Sequence, residues 1–320
     1  LDSAMVFEAL AWGDTAVASY MSIHNMVSWM IGKYGHDALC QQYLPKMVNG
    51  DWLGSYCLTE PNAGSDAVSL RTKADKQGDY YVLNGEKTFI SGAGATDVLV
   101  VMARTGDTGA KGVSAFVVDA QSDGIEYGKN EHKMGWKAQP TRTISFNNVK
   151  VPASNLLGAE GQGFSIAMKG LNGGRINIGI CAVGTAQAAL ETATSYVKDR
   201  KQFGKPIAGF QSVQFKLADM LTQTITARQM IYLAASKVDN NDPQAATYCA
   251  MAKRLATDLS FEVANEALQL HGGYGYLNEY PLERHVRDLR VHQILEGTNE
   301  IMRVIVSRQM LQDDALSSLR

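Results

Sequence analysis

The hydrophobic pattern of this chain changes its period twice, and this change restricts the possible folds more than any other feature of the sequence. From residue 1 to about residue 50, apolar residues recur at intervals of three and four, which is the period of an α-helix. Between residues 53 and 155, short segments rich in Val, Ile, Tyr, Phe and Thr are separated by Gly, Asn and Asp, as in strands joined by tight turns. From Gly161 the helical period returns. The chain therefore consists of helices, then strands, then helices.

The central region predicts an antiparallel barrel or sandwich, with strands in the segments LGSYCLT, YYVLNGEKTFIS, DVLVVMAR, VSAFVVD and RTISFNNV. The last region predicts long helices at 162–199, 209–238, 243–271 and 298–312. Long helices joined by short connections are typical of an antiparallel bundle. We therefore expect an α+β protein with three domains, at residues 1–52, 53–158 and 159–320.

Composition excludes several classes of protein. The net charge is −2 and the basic residues form no cluster, so we expect no binding of nucleic acid. No apolar run approaches the ~18 residues of a membrane span. The four cysteines are far apart, which disfavours a zinc site or a disulfide framework and suggests a reducing compartment; they are Cys40, Cys57, Cys181 and Cys249. Because Leu1 is not an initiator methionine, we expect the chain to begin within a longer protein.

Several common catalytic motifs are absent from the sequence. No glycine-rich dinucleotide fingerprint follows a predicted strand, and there is no P-loop, H-E-x-x-H or G-x-S-x-G motif. His285 and His292 would share one face of a helix, but no further ligand stands at metal-binding spacing, so a structural role is favoured. A Rossmann enzyme, an NTPase, a metalloprotease and an α/β-hydrolase are all disfavoured.

The stretch RDLRVHQILEGTNEIMR, residues 287–303, places a carboxylate at a break between two helices. We predict that Val291, Ile294 and Leu295 form the buried side of the first helix. Gly297 breaks that helix, and the residues after it, Thr298 and Asn299, are N-cap types. Glu296 lies at the junction, and a carboxylate beside an apolar wall loses solvation, which raises its pKa and makes it a usable base. The alternative is that Glu296 only ends a surface helix, and this stretch alone favours the alternative.

The stretch YCLTEPNAGSD, Tyr56 to Asp66, predicts a strand followed by a turn that Pro61, Asn62 and Gly64 enforce. Such a turn leaves backbone N–H groups and the hydroxyls of Thr59 and Ser65 unpaired at its tip. That tip suits a planar ligand with carbonyl and phosphate groups. The alternative is an ordinary transition from strand to turn.

Four blocks of the sequence together resemble the signatures of the acyl-CoA dehydrogenase family. They are YCLTEPNAGSD, DRKQFGKPIAGFQ (Asp199 to Gln211), QLHGGYGYLNEYPLERHVRD (Gln269 to Asp288) and ILEGTNEIMR. They follow the family's order and spacing across all 320 residues. The resemblance implies an N-terminal helical domain without its first helices, a middle β domain and a C-terminal four-helix bundle. It also implies FAD as cofactor, a homotetramer built as a dimer of dimers, and electron-transfer flavoprotein as electron acceptor.

The resemblance assigns the catalytic base to Glu296. In the isovaleryl and long-chain branches of the family the base stands at the position of Gly174, and because glycine has no side chain, Glu296 remains as the sole candidate. Phe89 and Ser91 match the aromatic residue and the hydroxyl beside the flavin ring. The full set of residues that match cofactor contacts is Tyr56, Cys57, Leu58, Thr59, Ser65, Phe89, Ile90, Ser91, Arg200, Phe203, Phe210, Gln211, Gln269, Leu270, His271, Gly272, Gly273, Thr298, Asn299 and Glu300. The residues that match contacts with the acyl-CoA substrate are Ser65, Asn172, Gly173, Gly174, Arg175, Gly297 and Arg308.

Four of the assigned residues also have a simpler interpretation: Gly272 and Gly273 as a helix terminator, Arg200 as a solvated helix end, and Phe89 as ordinary core.

The segments GLNGGRINI and HGGYGY resemble family members that oxidise a short, α-methyl-branched acyl-CoA such as isobutyryl-CoA, in valine catabolism. A dehydrogenase of straight-chain butyryl-CoA and an acyl-CoA oxidase are the nearest alternatives, and an inactive scaffold that binds flavin or acyl-CoA is a third. The expected compartment is the cytoplasm if the source is bacterial and the mitochondrial matrix if it is eukaryotic.

Overall fold

The computed structural model describes residues 1–312, and the last eight residues of the predicted C-terminal domain lie outside the described part. Contacts divide the chain into two compact units. The sheet unit comprises Tyr20–His132 and Ala138–Leu171. The helical unit comprises Leu1–Ser19, Lys133–Lys137 and the residues from Asn172 onward. The three domains predicted from the sequence divide the chain along its length instead, and their boundaries stay a prediction.

The N-terminal region is helical, as predicted. Its helices are α1 (Asp2–Gly13), α2 (Thr15–Tyr34) and α3 (Asp37–Val48). The long helices of the last region are α4 (Gly163–Asp199), α5 (Gln211–Asp239) and α6 (Ala245–His271), followed by the shorter α7 (Leu282–Arg290) and α8 (Asn299–Met310). Four of these five agree with the predicted helices to within about two residues. Helix α7 lies earlier in the chain than the helix predicted to end before Gly297.

The sheet unit contains an eight-stranded sheet. Its strands are β1 (Gly54–Cys57), β2 (Lys73–Gln77), β3 (Tyr80–Ser91), β4 (Val98–Arg104), β5 (Val113–Asp119), β6 (Ile125–Tyr127), β7 (Thr141–Pro152) and β8 (Leu156–Leu157). The order is β6-β7-β3-β2-β4-β5-β8, with β1 added beside β4. All five strand segments singled out in the sequence form strands.

The expectation of a purely antiparallel sheet is wrong at strand β4, which has parallel neighbours. β1 pairs in parallel with β4, from Gly54 opposite Val98 to Cys57 opposite Val101. β2 also meets β4 in parallel, through the single pair Lys73 and Arg104. Parallel neighbours need a long crossover connection, and the β2–β3 hairpin lies between β1 and β4 in the chain and provides it.

Strand β4 is buried on both faces, which explains its continuous apolar sequence. Val98, Val100 and Met102 pack in one cluster with residues of α2 and α3. The alternate residues Leu99 and Val101 pack in a second cluster with residues of β3, β5 and β7. The two clusters form the core of the sheet unit.

In the helical unit, small side chains allow the long helices to pack closely. One core cluster joins Ala residues of α1, α5 and α6 to Ile180 and Val183 of α4. A second cluster joins α4 and α6 to Leu282 and Leu289 of α7. A two-stranded ribbon, β9 (Lys201–Gln202) with β10 (Lys205–Pro206), occupies one of the predicted breaks between helices. No helix within residues 1–312 combines the length and the apolar character needed to span a bilayer.

The predicted buried face of residues 291–295 is wrong. The helix ends at Arg290 and a short 3-10 turn follows, in which His292 is the buried residue. Ile294 is 50% exposed in the single chain. His292 takes the inner position because both of its ring nitrogens have partners, the Ile178 carbonyl at 3.0 Å and the Trp136 indole nitrogen at 3.3 Å. A hydrogen-bonded polar ring thus occupies the place that the apolar pattern assigned to isoleucine.

Candidate active site

Glu296 and Gly297 form a left-handed turn between the 3-10 turn and α8. Their φ angles are 53° and 91°. A positive φ is strained for a residue other than glycine, and such residues are enriched at functional sites. The next residue, Thr298, caps α8 by accepting a hydrogen bond from the backbone N–H of Ile301 at 3.2 Å, which confirms the predicted helix start.

The Glu296 side chain is partly exposed in the single chain, but its Oε2 atom is buried and has no hydrogen-bond partner within residues 1–312. Burial raises the pKa of Glu296 to about 7, although the positive charges of Arg175 and Lys253 act to lower it. The interpretation of Glu296 as the end of a surface helix is therefore wrong. A carboxyl group with a pKa near neutrality gains and loses a proton readily at physiological pH.

Helix α4 makes room for this carboxyl group at Gly174. A Cβ atom at position 174 would lie 2.3 Å from Oε2 of Glu296, closer than real contacts allow. A Cβ atom at the preceding residue, Gly173, would have nothing within 4 Å. The glycine at position 174 is therefore a condition for the observed orientation of Glu296.

Two buried cations hold the carbonyl groups of the turn. Arg175 of α4 donates from Nε to the Glu296 carbonyl at 3.5 Å and from Nη1 to the Asn172 side chain at 3.2 Å. Lys253 of α6 donates from Nζ to the Gly297 carbonyl at 2.9 Å. Burial lowers the pKa of Lys253 to about 8.

Reasoning from the sequence missed Lys253, although a signal was present. The lysine lies at helical spacing from Cys249 and Ala256, on a face of α6 that otherwise carries small, uncharged side chains. A lysine on such a face is buried only when it has polar partners.

The residues of α8 that the resemblance assigned differ in their surroundings. The Asn299 side chain is bonded to Lys253, Thr257 and Asp258, so a cofactor contact there would have to come from its backbone. Glu300 in the first turn and Arg308 in the last turn are exposed.

A second group of assigned residues surrounds a cavity of about 380 Å³ in the helical unit. We call it the Arg200 cavity. Its lining residues come from the end of α4, the adjoining ribbon and the end of α6: Tyr196, Arg200, Gln202, Ile207, Gln269, Leu270, His271, Gly272, Gly273, Tyr274 and Leu277. The structure thus brings Arg200 together with the run from Gln269 to Gly273. Phe203, Phe210 and Gln211 are not part of this lining. Phe203 is 93% exposed at the tip of the ribbon, with its ring centroid 6.0 Å from that of Phe210.

In the sheet unit, the turn after β1 is held by a buried ion pair that was not predicted. Glu60 and Ala63 exchange backbone hydrogen bonds across the turn, at 3.2 and 3.1 Å. Lys87 donates to the Glu60 carboxylate at 2.8 Å and to the Leu58 carbonyl at 3.0 Å. Ser65 is exposed, and neither its hydroxyl nor that of Thr59 forms a hydrogen bond with another residue among residues 1–312. The side chains of Cys57 and Leu58 are buried in the core, so only their backbone atoms can reach a ligand.

Phe89 lies where the β3–β7 pairing shifts register, between Lys87 and Ile90. Its φ of 57° turns the side chain outward and leaves it 68% exposed, while Ile90 is buried. The interpretation of Phe89 as ordinary core is therefore wrong. Two residues on, the Ser91 hydroxyl accepts a hydrogen bond from the Gln139 amide at 3.3 Å.

Three family models match successive parts of the chain. They are the N-terminal, middle and C-terminal domains of acyl-CoA dehydrogenase, over residues 1–51, 55–149 and 161–311. The mitochondrial isobutyryl-CoA dehydrogenase of Dictyostelium discoideum is 52% identical over 315 residues, which are 98% of this chain and 76% of that protein. The chain belongs to the acyl-CoA dehydrogenase family.

Solved structures agree with this assignment. The butyryl-CoA dehydrogenase of Megasphaera elsdenii superimposes with a TM-score of 0.94 at 44% identity, over 97% of this chain and 81% of that one. A chain in the structure described as the electron transferring flavoprotein of Acidaminococcus fermentans has a TM-score of 0.94 at 40% identity, over 97% of this chain and 82% of that one. This acyl-CoA dehydrogenase is an FAD-dependent oxidoreductase that acts on CH–CH groups.

The Arg200 cavity of the acyl-CoA dehydrogenase has the chemistry that part of FAD requires. A Cβ atom at Gly272 or Gly273 would meet nothing within 4 Å, so the backbone there borders open space. Arg200 lies 5.6 Å from the Tyr274 ring centroid and can present its planar fork to a pyrophosphate. The Nε2 atom of His271 is buried without a partner within residues 1–312, and its ring stacks on Tyr196 at 4.1 Å. Open backbone, a guanidinium and aromatic rings together fit a nucleotide with a pyrophosphate.

Proposed function

We propose that this acyl-CoA dehydrogenase oxidises a short, α-methyl-branched acyl-CoA of the isobutyryl type, and that Glu296 is the base that removes the α-proton. The observation that carries the proposal is the Glu296 carboxyl group, whose Oε2 atom is buried in the space left by Gly174 and whose pKa is raised to about 7. A base with this pKa is half ionised near pH 7 and accepts a proton without being permanently protonated.

In the proposed reaction the α-proton passes to a carboxylate oxygen of Glu296. The electron pair of the broken Cα–H bond forms the new Cα=Cβ bond, and the β-hydrogen leaves with its own pair. FAD, when bound, supplies the hydride acceptor at N5. An α-proton beside a thioester is a weak acid, so the thioester carbonyl must accept hydrogen bonds as negative charge develops on it. We assign one of these bonds to the backbone N–H of Glu296, and the resemblance assigns the other to a ribityl hydroxyl of FAD.

Residues of both units would hold FAD; besides the assigned contacts from Thr298 to Glu300, they form two groups. In the sheet unit, the proposed flavin contacts are the strand and turn from Tyr56 to Ser65 and the segment from Phe89 to Ser91. In the helical unit, Arg200 and the run from Gln269 to Gly273 would hold the pyrophosphate and adenosine of a neighbouring subunit. The exposure of Phe203 supports such a neighbour. We accordingly propose a homotetramer, arranged as a dimer of dimers.

We further propose electron-transfer flavoprotein as the electron acceptor, supported by the family resemblance and by the Acidaminococcus fermentans relative. All four cysteines are free, which suits a reducing compartment. We propose that this compartment is the cytoplasm in a bacterium or the mitochondrial matrix in a eukaryote.

The test of Glu296 is substitution by glutamine. The amide has the size of the carboxyl group but cannot accept the proton, so Glu296→Gln should retain FAD and bind acyl-CoA while flavin reduction falls by several orders of magnitude. Anaerobic stopped-flow measurement of flavin bleaching separates the chemical step from binding. Bleaching at nearly the native rate would show that the base lies elsewhere.

The substrate is tested with a panel of acyl-CoAs. The 52% identity to an isobutyryl-CoA dehydrogenase favours a small, branched acyl group, and the 44% identity to a butyryl-CoA dehydrogenase makes butyryl-CoA the nearest rival. Extra methylenes of a longer acyl chain overlap with a packed pocket wall, which is costly. A shorter chain that leaves the pocket unfilled loses only about 1–3 kcal/mol of binding free energy per missing methylene. We expect kcat/KM to be highest for isobutyryl-CoA and 2-methylbutyryl-CoA, lower for butyryl-CoA and lowest for octanoyl-CoA. Equal values for octanoyl-CoA and isobutyryl-CoA would refute the small pocket and leave the dehydrogenase assignment intact.

A further inference from the structure

Lys253 is a fully buried lysine in the first half of α6, and it takes no part in the proposed reaction. Its Nζ atom donates to two neutral oxygens, the Gly297 carbonyl and the Asn299 side-chain oxygen, both at 2.9 Å. Burying an ammonium group away from water costs free energy unless its hydrogen bonds are well formed. The acceptors of these two hydrogen bonds therefore indicate what the buried lysine stabilises.

Both bonds end at the segment that carries Glu296. Gly297 follows the base directly, and Asn299 is the first residue of α8. The Asn299 side chain is in turn held by α6, because its Nδ2 donates to Thr257 at 3.0 Å and to Asp258 at 2.7 Å. The second partner of Lys253 is thus fixed by the helix from which the lysine extends.

This arrangement opposes relaxation of the turn. Glu296 has a φ of 53°, which a residue with a side chain adopts only when its surroundings impose it. If the peptide after Gly297 were free to rotate, the backbone at Glu296 would be free to return to a right-handed conformation. The carboxyl group would then leave the space beside Gly174.

We propose that Lys253 is a positioning residue that locks the left-handed Glu296–Gly297 turn to α6 and so aims the carboxyl group at the substrate. The proposal rests on the proposed role of Glu296 as the base. Lys253 itself touches no reacting atom; it acts through the Gly297 carbonyl. The lysine also adds a positive charge that favours the ionised form of Glu296.

The primary test is Lys253→Met in the FAD-loaded protein. Methionine keeps much of the apolar stem of lysine and removes both hydrogen bonds and the charge. We expect the rate of flavin reduction at saturating isobutyryl-CoA to fall by about 10²-fold, because a misplaced catalytic group loses that much. The FAD content of the Lys253→Met variant should differ from that of the native enzyme by less than about threefold. The Kd of isobutyryl-CoA is measured with Glu296→Gln present, which blocks turnover. Adding Lys253→Met to that variant should change this Kd by less than about threefold.

The pH profile separates positioning from a general loss of structure. The groups whose charges interact with Glu296 or Lys253 are Arg175 and Cys181 of α4, Asp258 of α6, His292 of the 3-10 turn and Glu300 of α8. With these unchanged, removing the lysine charge raises the pKa of Glu296 above its native value of about 7. The acid limb of the flavin-reduction profile should therefore move to higher pH. A fall in rate by one factor at every pH, with the limb unmoved, would overturn the proposal.

Lys216→Met is the control, since it makes the same substitution at a partly exposed lysine of α5, which pairs with Glu266 of α6 and lies outside the Glu296 turn. We expect this variant to keep the native rate and the native acid limb. If Lys253→Met fails to fold, Thr257→Val takes its place: it keeps the lysine and its charge but removes one anchor of Asn299. It should slow flavin reduction without moving the acid limb or the Kd, and a native rate would overturn the proposal.

The comparison with Glu296→Gln shows which hypothesis fails. If Glu296→Gln still bleaches the flavin, the base is misassigned and the proposed function is wrong. If Glu296→Gln is inactive while Lys253→Met keeps the native rate and acid limb, only the positioning role is refuted.

Discussion

Gly174 and the carboxyl group of Glu296 occupy adjoining space, and this pair links helix packing to chemistry at the scale of single residues. The Oε2 atom of the carboxyl group is buried against a helix that has no side chain at that point, so this atom loses water without gaining a hydrogen bond within residues 1–312. The result is a pKa of about 7. The absence of one side chain thereby sets the protonation behaviour of another.

The neighbouring glycines of α4 allow a direct test. Alanine in place of glycine inside a helix normally stabilises by about 0.5–1 kcal/mol. The new Cβ atom of Gly173→Ala would have no atom of the chain within 4 Å, so the melting temperature of this variant should rise slightly. Gly174→Ala displaces the Glu296 carboxyl group, so we expect a lower melting temperature and slower flavin reduction. Calorimetry and stopped-flow bleaching measure the two effects. Equal melting temperatures for the two variants would contradict the close approach of Gly174 to Glu296.

At the scale of elements, the segment Lys133–Lys137 belongs to the helical unit although the strands of the sheet unit flank it in the sequence. Trp136 anchors it there. The Trp136 backbone N–H donates to Asp288 of α7 at 2.6 Å, and its indole N–H donates to His292 at 3.3 Å. His292 must accept at Nε2 and donate from Nδ1 to the Ile178 carbonyl, so only one neutral tautomer satisfies both bonds.

This arrangement predicts sensitivity to acid. Burial lowers the pKa of His292 to about 4 from an ordinary value of 6.5. Between pH 6.5 and 4 the unfolded chain therefore binds a proton that the folded chain does not, and stability falls as the pH falls. Above pH 6.5 the histidine is neutral in both states and contributes no pH dependence. His285, whose pKa is also lowered to about 4 by burial, adds to the effect.

The contribution of His292 is measured by denaturant unfolding from pH 7 to pH 4. His292→Gln should lower stability at pH 7, because hydrogen bonds are lost, and should flatten the decline between pH 6.5 and 4. His132→Gln, at an exposed histidine, is the control and should leave the decline unchanged. An equally steep decline in His292→Gln would show that other groups cause the acid sensitivity.

At the scale of the whole molecule, the single chain exposes apolar side chains along α5. Phe215, Leu221, Ile225 and Leu233 are all exposed in the single chain. Phe203 projects from the ribbon beside the Arg200 cavity. Exposed apolar surfaces of this kind mark sites of association, which supports the proposed tetramer.

Arg200→Ala tests whether cofactor binding and assembly are coupled. A ligand held across a subunit interface stabilises the assembly as well as the fold, so the variant should lose FAD more readily and dissociate at higher protein concentration than the native enzyme. FAD release and sedimentation velocity measure the two effects. Lys198→Ala removes an exposed charge two residues away that is not part of the cavity lining, and should do neither. Loss of FAD from a particle that is a monomer both with and without cofactor would refute the shared site.

Features that depend on neighbours in the chain were determined by the sequence alone. The segment YYVLNGEKTFIS coincides with β3, Tyr80–Ser91, because alternation and β-branched residues act locally. The helix start at Thr298 follows from local capping chemistry. The perturbed carboxyl group of Glu296 was also foreseen, although the stretch around it alone favoured a surface position. The resemblance of four blocks spread over the chain to the family signatures favoured the role of a base.

Only the tertiary structure decided the features that join distant parts of the chain. Lys253 and Gly297 are 44 residues apart, and Trp136 and His292 are 156 apart. The parallel pairing of β1 with β4 is likewise non-local. A polar side chain is buried when a partner reaches it, and its position in the sequence does not reveal that partner. For this reason the apolar pattern placed Ile294 inside and overlooked His292 and Lys253, whose burial depends on carbonyl and indole groups supplied by other elements.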